Sequence, residues 1–281
     1  DLVELSNIQR QSLFFEEHAR QGIPKAVAAR QSLRQINSEI EINAHVVELS
    51  SRNAASRLGV PDLILDATDN FAARYLINDY AVKNSVPWIF ASCLGSRGTV
   101  ATFRPDSGYC LRCILGPIPA AGGMETCLTA GILAPAARFA SALQVAQALK
   151  LVVGEAPVNS FFSFDLWRDF YTQAPISPQE TDPCPTCQQH VFEFLKGRAQ
   201  PLLQELCGEE SIQIWPSEGA FDYSAVRRRL QNHGPLHETD YMLRLSVESC
   251  EITLFKDGRS IIRGAPSAEH AKSLYANYIG Y

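Results

Sequence analysis

Apolar and polar positions alternate along the chain with two distinct periods. Lys25 to Glu41, "KAVAARQSLRQINSEIE", has helical spacing, and "INAHVVEL" after it reads as a strand. "DLILDATDN" holds a buried strand over Asp62–Ala67 that ends in a polar tip. A helix is predicted from about Phe71 to Asn84, then two strands in "VPWIFASCLG" and "RGTVATFRP". Strand–helix–strand alternation of this kind predicts an α/β fold. The expected form is a Rossmann-like, doubly wound, mostly parallel sheet, which binds its ligand at the carboxyl ends of its strands.

"SGYCLRCILGPIPAAGGMETC" is a long loop, and an apolar helix follows over residues 129 to 154. That stretch is long enough to span a bilayer, but it carries Arg138, Gln144, Gln147 and Lys150. It reads instead as a buried or interface helix. "NSFFSFDLWRDFYTQA" supplies further strands and "DPCPTC" a turn. From residue 198 the character changes. "RRRL" lies on an amphipathic helix. "SVESCEITLFKDGRSIIRG" is a hairpin about Asp257-Gly258, read as a type I′ turn. "SAEHAKSLYANYIG" is a helix capped by Ser267. The expected division is a domain over 1–197 with a small α+β appendix over 198–281.

The start is unusual for such a sheet. "DLVELSNIQRQ" opens with the tail of a strand, and no Gly-x-Gly-x-x-Gly precedes a helix anywhere. The first strand, glycine loop and helix are therefore expected to lie outside this chain. Its net charge of −5 and the lack of a basic stripe argue against a nucleic-acid groove. No secretory signal opens it, so a cytoplasmic protein is expected.

Eight cysteines then narrow the chemistry. Cys110-x-x-Cys113 and Cys184-x-x-Cys187 suit a tetrahedral zinc site with no position left for water, hence a structural one; two redox dithiols are the alternative. Asp66 and Asp69 stand at a strand tip beside Asn70. One carboxylate there could hold magnesium against phosphate oxygens, or Asp69 could cap the following helix. Arg10 offers forked donors for phosphate, and Lys25 stands at a helix start that attracts anions. Cys127 precedes a helix, where a thiol is either activated or simply buried. Cys93, Cys207 and Cys250 read as core residues.

Taken in order, "SNIQRQ", "GIPKA", "DATDN", "YCLRC", "TCLTAGILAP" and "CPTC" closely resemble the ThiF/MoeB/HesA family, bacterial relatives of ubiquitin-activating enzymes. The resemblance covers roughly residues 1 to 190. It implies ATP-dependent adenylation of the C-terminal glycine of a ubiquitin-like sulfur carrier of the ThiS or MoaD type. The carrier ends in Gly-Gly, and its adenylate is then converted to a thiocarboxylate by a persulfide-bearing sulfur donor. The match places Ser6, Asn7, Gln9, Arg10 and Lys25 at the ATP phosphates, Mg2+ on Asp69, Asn70 at the nucleotide and Zn2+ on the four paired cysteines. Cys127 matches a position that in some members links to the carrier or transfers sulfur. The implied assembly is a homodimer, and the implied pathway thiamin, molybdopterin or a related sulfur-bearing product. Two rival readings stay open. One is a carrier-binding subunit without catalysis; the other is a member that adenylates a different substrate, such as a tRNA base.

Overall fold

The computed structural model describes residues 1–118, 130–155, 160–176, 183–197, 203–206, 211–216 and 221–280. The chain forms two compact units. One comprises Val3–Gly22 and Glu48–Gln200; the other comprises Asp1–Leu2, Ile23–Val47 and Pro201–Tyr281.

The first unit is built on a five-stranded sheet in the order β1-β2-β3-β4-β5. Its strands are β1 (Ile64–Leu65), β2 (Trp88–Leu94), β3 (Arg97–Phe103), β4 (Ser160–Asp165) and β5 (Phe170–Pro175). Its helices are α1 (Leu5–Ile8), α2 (Glu16–Arg20), α4 (Ala54–Leu58), α5 (Phe71–Asn84), α6 (Leu111–Leu115) and α7 (Ala134–Val152); α3 (Lys25–Ile36) belongs to the other unit. Alternate residues of β2 point to opposite faces. Trp88 and Phe90 pack with Tyr75, Leu76 and Tyr80 of α5, while Ile89 packs with Ala136 and Ala140 of α7. The sheet is thus covered on both faces, which explains why β2 is apolar at nearly every position.

The sheet is mixed rather than mostly parallel. Among the described strands only β1 and β2 run parallel; β2–β3, β3–β4 and β4–β5 are antiparallel. The two-residue turn Gly95-Ser96 returns the chain directly beside β2, and so short a link cannot make the crossover that a parallel pair needs. Two other expectations shift. Residues 42–49 form no ladder. α3 stops at Ile36 because Asn37 is extended and its Oδ1 accepts from the Glu39 N–H at 2.9 Å, a local turn that competes with the helix. No described helix is long and apolar enough to cross a membrane.

Gly98 on β3 lies directly opposite Phe164 on β4, and the phenyl ring folds over it. A Cβ at Gly98 would stand 2.1 Å from the ring, which is itself buried and edge-on to Phe139. Gly98→Ala is therefore expected to cost about 1–3 kcal/mol or more by overpacking, read as a lower urea midpoint for unfolding.

The second unit carries an antiparallel sheet ordered β6-β7-β11-β10-β9-β8. Its strands are β6 (Leu203–Leu206), β7 (Ser211–Ile214), β8 (Leu236–Glu238), β9 (Met242–Val247), β10 (Cys250–Phe255) and β11 (Ser260–Arg263). Helices α8 (Tyr223–Leu230) and α9 (Ala268–Tyr278) pack against one face through Val226, Leu230, Leu274 and Tyr275. On the other face Leu2 and Val46 meet Met242, Phe255 and Ile261. The Oγ of Ser267 caps α9, accepting from the His270 N–H at 3.1 Å, as its sequence implies. The β10–β11 link is a three-residue loop, not a type I′ turn. The Gly258 N–H donates to the Phe255 carbonyl at 3.0 Å, and Gly258 takes φ +87°, the left-handed residue that closes a type I turn.

Candidate adenylation and metal sites

β1 and β2 are parallel neighbours, so their carboxyl ends share one edge of the sheet. "DATDN" leaves the end of β1. Asp66 is buried; its Oδ1 accepts from the Thr68 N–H at 2.8 Å and from the Thr68 hydroxyl at 2.7 Å. Its Oδ2 lies 3.8 Å from Nε of Arg74. Burial pushes the Asp66 carboxyl above its usual range, against the pull of Thr68 and Arg74. Arg74 lies over the rings of Phe71 and Phe90 and donates to the Thr68 carbonyl at 2.7 Å. From α7, Nε2 of Gln144 donates to the carbonyls of Asp66 and Ile89, both at 2.8 Å, clamping β1 to β2. These contacts fix the turn and leave Asp69 exposed. Asn70, not Asp69, caps α5, its Oδ1 accepting from the Ala73 N–H at 2.8 Å. The two acids thus divide the work: Asp66 builds the turn and Asp69 faces outward.

The opening residues form no strand, only an isolated bridge of Leu2 to Pro24, and the polar run after them forms α1 and the turn beyond it. Asn7 is buried, its Nδ2 donating to Oγ of Ser6 at 3.3 Å, while its Oδ1 has no hydrogen-bond partner among the described residues. Arg10 donates to the Ser6 carbonyl at 3.0 Å. Gln9 donates to the Ile132 carbonyl at 3.3 Å, and Ile132 bridges to Gly95 just past the end of β2. Gln9 is thereby tied to the sheet edge at the end of β2, and Ser6, Asn7 and Arg10 are its neighbours in α1 and the turn beyond it. Lys25 lies in the other unit, first in α3, where its Nζ pairs with the Asp1 carboxylate at 3.0 Å. Cys127 lies outside the described residues.

The four paired cysteines come together, although the sequence separates the pairs widely. Cys110 and Cys184 have sulfurs 3.8 Å apart, Cys113 and Cys187 3.5 Å, and all four lie within 4.8 Å of one another. Tetrahedral Zn–S bonds of about 2.3 Å place sulfurs about 3.8 Å apart, so the cluster fits the ion. Hydrogen bonds from Cys110 and Cys187 hold the Cys113 thiol down at about 2; by donating to Cys113, Cys110 is pushed up to about 12 and Cys187 is also raised. Four sulfurs within 4.8 Å of one another suit a cation at the centre. Beside the cluster, Arg112 pairs with Glu193 at 3.6 Å and lies over the Tyr75 ring. Cys250 is buried in the core of the second unit, Cys93 is half-buried and packs against the core of the first, and Cys207 lies outside the described residues.

Sequence reasoning passed over Arg74, Asn78 and Asp79, and read Gln144 only as a polar interruption of an apolar helix. All four are polar side chains on helices α5 and α7, which look like ordinary helix positions until the strands beneath them are placed.

Comparison with known proteins follows this geometry. The ThiF family matches residues 1–187. The chain is 36% identical over 282 residues to a sulfur carrier protein ThiS adenylyltransferase of Bacillus subtilis, covering 100% of this chain and 83% of that protein. It is 36% identical over 159 residues to a sulfur carrier protein adenylyltransferase of Thermus thermophilus, covering 55% of this chain and 58% of the relative. Identity to the adenylyltransferase and sulfurtransferase MOCS3 of Aedes aegypti is 32% over 192 residues, 68% of this chain but 43% of that longer protein. Among solved structures, E. coli MccB with ATP superposes with a TM-score of 0.56 at 20% identity, covering 66% of this chain and 57% of that one; this likeness shows the fold alone. A family match over residues 1–187 and a relative 36% identical along the whole chain show that the chain belongs to the ThiF family.

Proposed function

We propose that this protein adenylates the C-terminal glycine of a ubiquitin-like sulfur carrier, using ATP. The observation that carries the reading is the division of the "DATDN" turn: Asp66 is consumed in building it and Asp69 is presented at the carboxyl edge of a Rossmann-like sheet. A carboxylate is ionised at neutral pH, so attack on the α-phosphate needs no general base. The carboxylate oxygen bonds to the α-phosphorus as pyrophosphate leaves. The protein's task is to align the two anions and offset their charge.

Arg10, with its guanidinium anchored on α1, offers donors to the phosphates, and Ser6, Asn7, Gln9 and Asn70 line the same edge. Lys25 is proposed at the phosphates as well, as the resemblance of its motif implies. Asp69 would hold Mg2+, which neutralises phosphate charge when bound. Cys110, Cys113, Cys184 and Cys187 would hold Zn2+ as a staple, since four sulfurs leave no open position. The domain boundary proposed is 1–197 for adenylation and 198–281 for the α+β appendix. A homodimer, a persulfide sulfur donor and a cytoplasmic location complete the proposal; the free thiols of the described residues suit a reducing compartment.

The test is ATP–pyrophosphate exchange with a ThiS-type carrier, a MoaD-type carrier, and none. Exchange with one carrier alone supports the reading and identifies the pathway. A folded protein that binds carrier but shows no exchange with either overturns it in favour of a binding subunit.

A further inference from the structure

We infer that Asn78 and Asp79 on α5 are positioning residues that hold the two Cys-x-x-Cys pairs together as one cluster. The inference rests on the reading that the cluster holds zinc. The two residues are consecutive, buried, and each reaches a different half of the cluster. Oδ1 of Asn78 accepts from the Leu111 N–H at 2.8 Å, and its Nδ2 lies 3.5 Å from the Cys110 sulfur. Leu111 is inside the first Cys-x-x-Cys. Asp79 accepts from the Thr186 hydroxyl at 3.4 Å and from the Phe194 N–H at 2.9 Å, with a further bond from the Leu195 N–H. Thr186 is inside the second Cys-x-x-Cys. One rigid turn of helix therefore holds both pairs at a fixed spacing, although the pairs are distant in sequence.

The choice of residue types is informative. Asn has both an acceptor, for a backbone N–H, and a donor, for a sulfur that carries negative charge. An Asp in its place would set a second negative charge against the thiolates. Asp79 meets N–H and O–H donors only, and a carboxylate accepts from all of them. Neither residue is needed to form α5, whose cap is Asn70. Burying two such polar groups on the core face of a helix is costly unless they are satisfied, and here the donors and acceptors that satisfy them belong to the cluster's own loops.

The experiment uses the full chain with Zn2+ as probe. Wild type, Asn78→Ala, Asp79→Ala, Asp79→Asn and the core variant Val86→Ala are loaded, assayed for bound zinc, and mixed with a chromogenic chelator. Zinc release is expected to be roughly 10- to 100-fold faster in Asn78→Ala and Asp79→Ala. Asp79→Asn, which keeps a carbonyl acceptor, falls between Asp79→Ala and wild type. Val86→Ala releases at the wild-type rate despite its lost packing. Should the alanine variants not fold, Thr186→Val removes a single donor to Asp79 and is expected to speed release in the same direction. Wild-type rates in the Asn78 and Asp79 variants, or in Thr186→Val where only it folds, overturn the inference. Equal acceleration in Val86→Ala overturns it too, because the effect is then general loosening. A wild type that takes up no zinc overturns the metal reading itself.

Discussion

Asp69→Ala lowers ATP–pyrophosphate exchange by at least ~100-fold, the scale on which single electrostatic groups act at a reacting phosphate or oxyanion. The variant is expected to keep its fold and its four-cysteine cluster. Asp69 is exposed, α5 is capped by Asn70, and the turn is held by Asp66 through Thr68. An exposed side chain without these duties changes stability by about 0.5 kcal/mol or less. Asp66→Ala gives the contrasting result. It leaves the half-buried N–H of Thr68 without its acceptor, at about 1 kcal/mol, so stability and exchange fall together. Measuring melting temperature beside exchange rate separates the two acids. Normal exchange in Asp69→Ala removes the metal role from this residue. A large stability loss in that variant instead makes Asp69 a structural group.

These two acids also mark the limit of what the chain reveals by itself. Local signals were legible. α5 spans Phe71–Asn84 as its periodicity implies, β2 and β3 fall where the apolar runs place them, and Ser267 caps α9. The cysteine pairs were legible because Cys-x-x-Cys is itself a local pattern, and the structure supplied only their meeting. Long-range features were hidden. The antiparallel return of β3 depends on a two-residue turn, which reads like any Gly-Ser loop. Residues 42–49 have strand character, yet a strand needs a ladder partner and none is present among the described residues. Gln144 belongs to an apolar helix in the sequence; its reason for being polar, the Asp66 and Ile89 carbonyls, exists only once α7 lies across β1 and β2. Asp69 and Asn70 are both good caps, and backbone geometry selects Asn70, which is extended where the helix begins.

If the four cysteines hold zinc as proposed, its removal has the second large effect, on stability rather than on chemistry. With zinc a thousandfold above its dissociation constant, linkage alone contributes about 4 kcal/mol to the folded state. Chelation withdraws that contribution from the unit that carries the cluster. The segments it joins also bring Tyr109, Leu111 and Phe194 into the core around Tyr75, Trp88 and Phe103, so the loss spreads into packing. The expected result is a markedly lower melting temperature and faster tryptic cleavage at the exposed Lys196. Cys184→Ser should reproduce both without chelator, because one hydroxyl in place of a thiolate spoils a four-sulfur shell. Exchange activity follows the folded fraction. At a temperature where the chelated protein is still folded, it should keep most of its rate, since four sulfur ligands leave no place for substrate. If chelation leaves both melting temperature and Lys196 cleavage unchanged, the four cysteines do not staple this fold. If activity disappears while the protein stays folded, the cluster takes part in the reaction and its structural assignment falls.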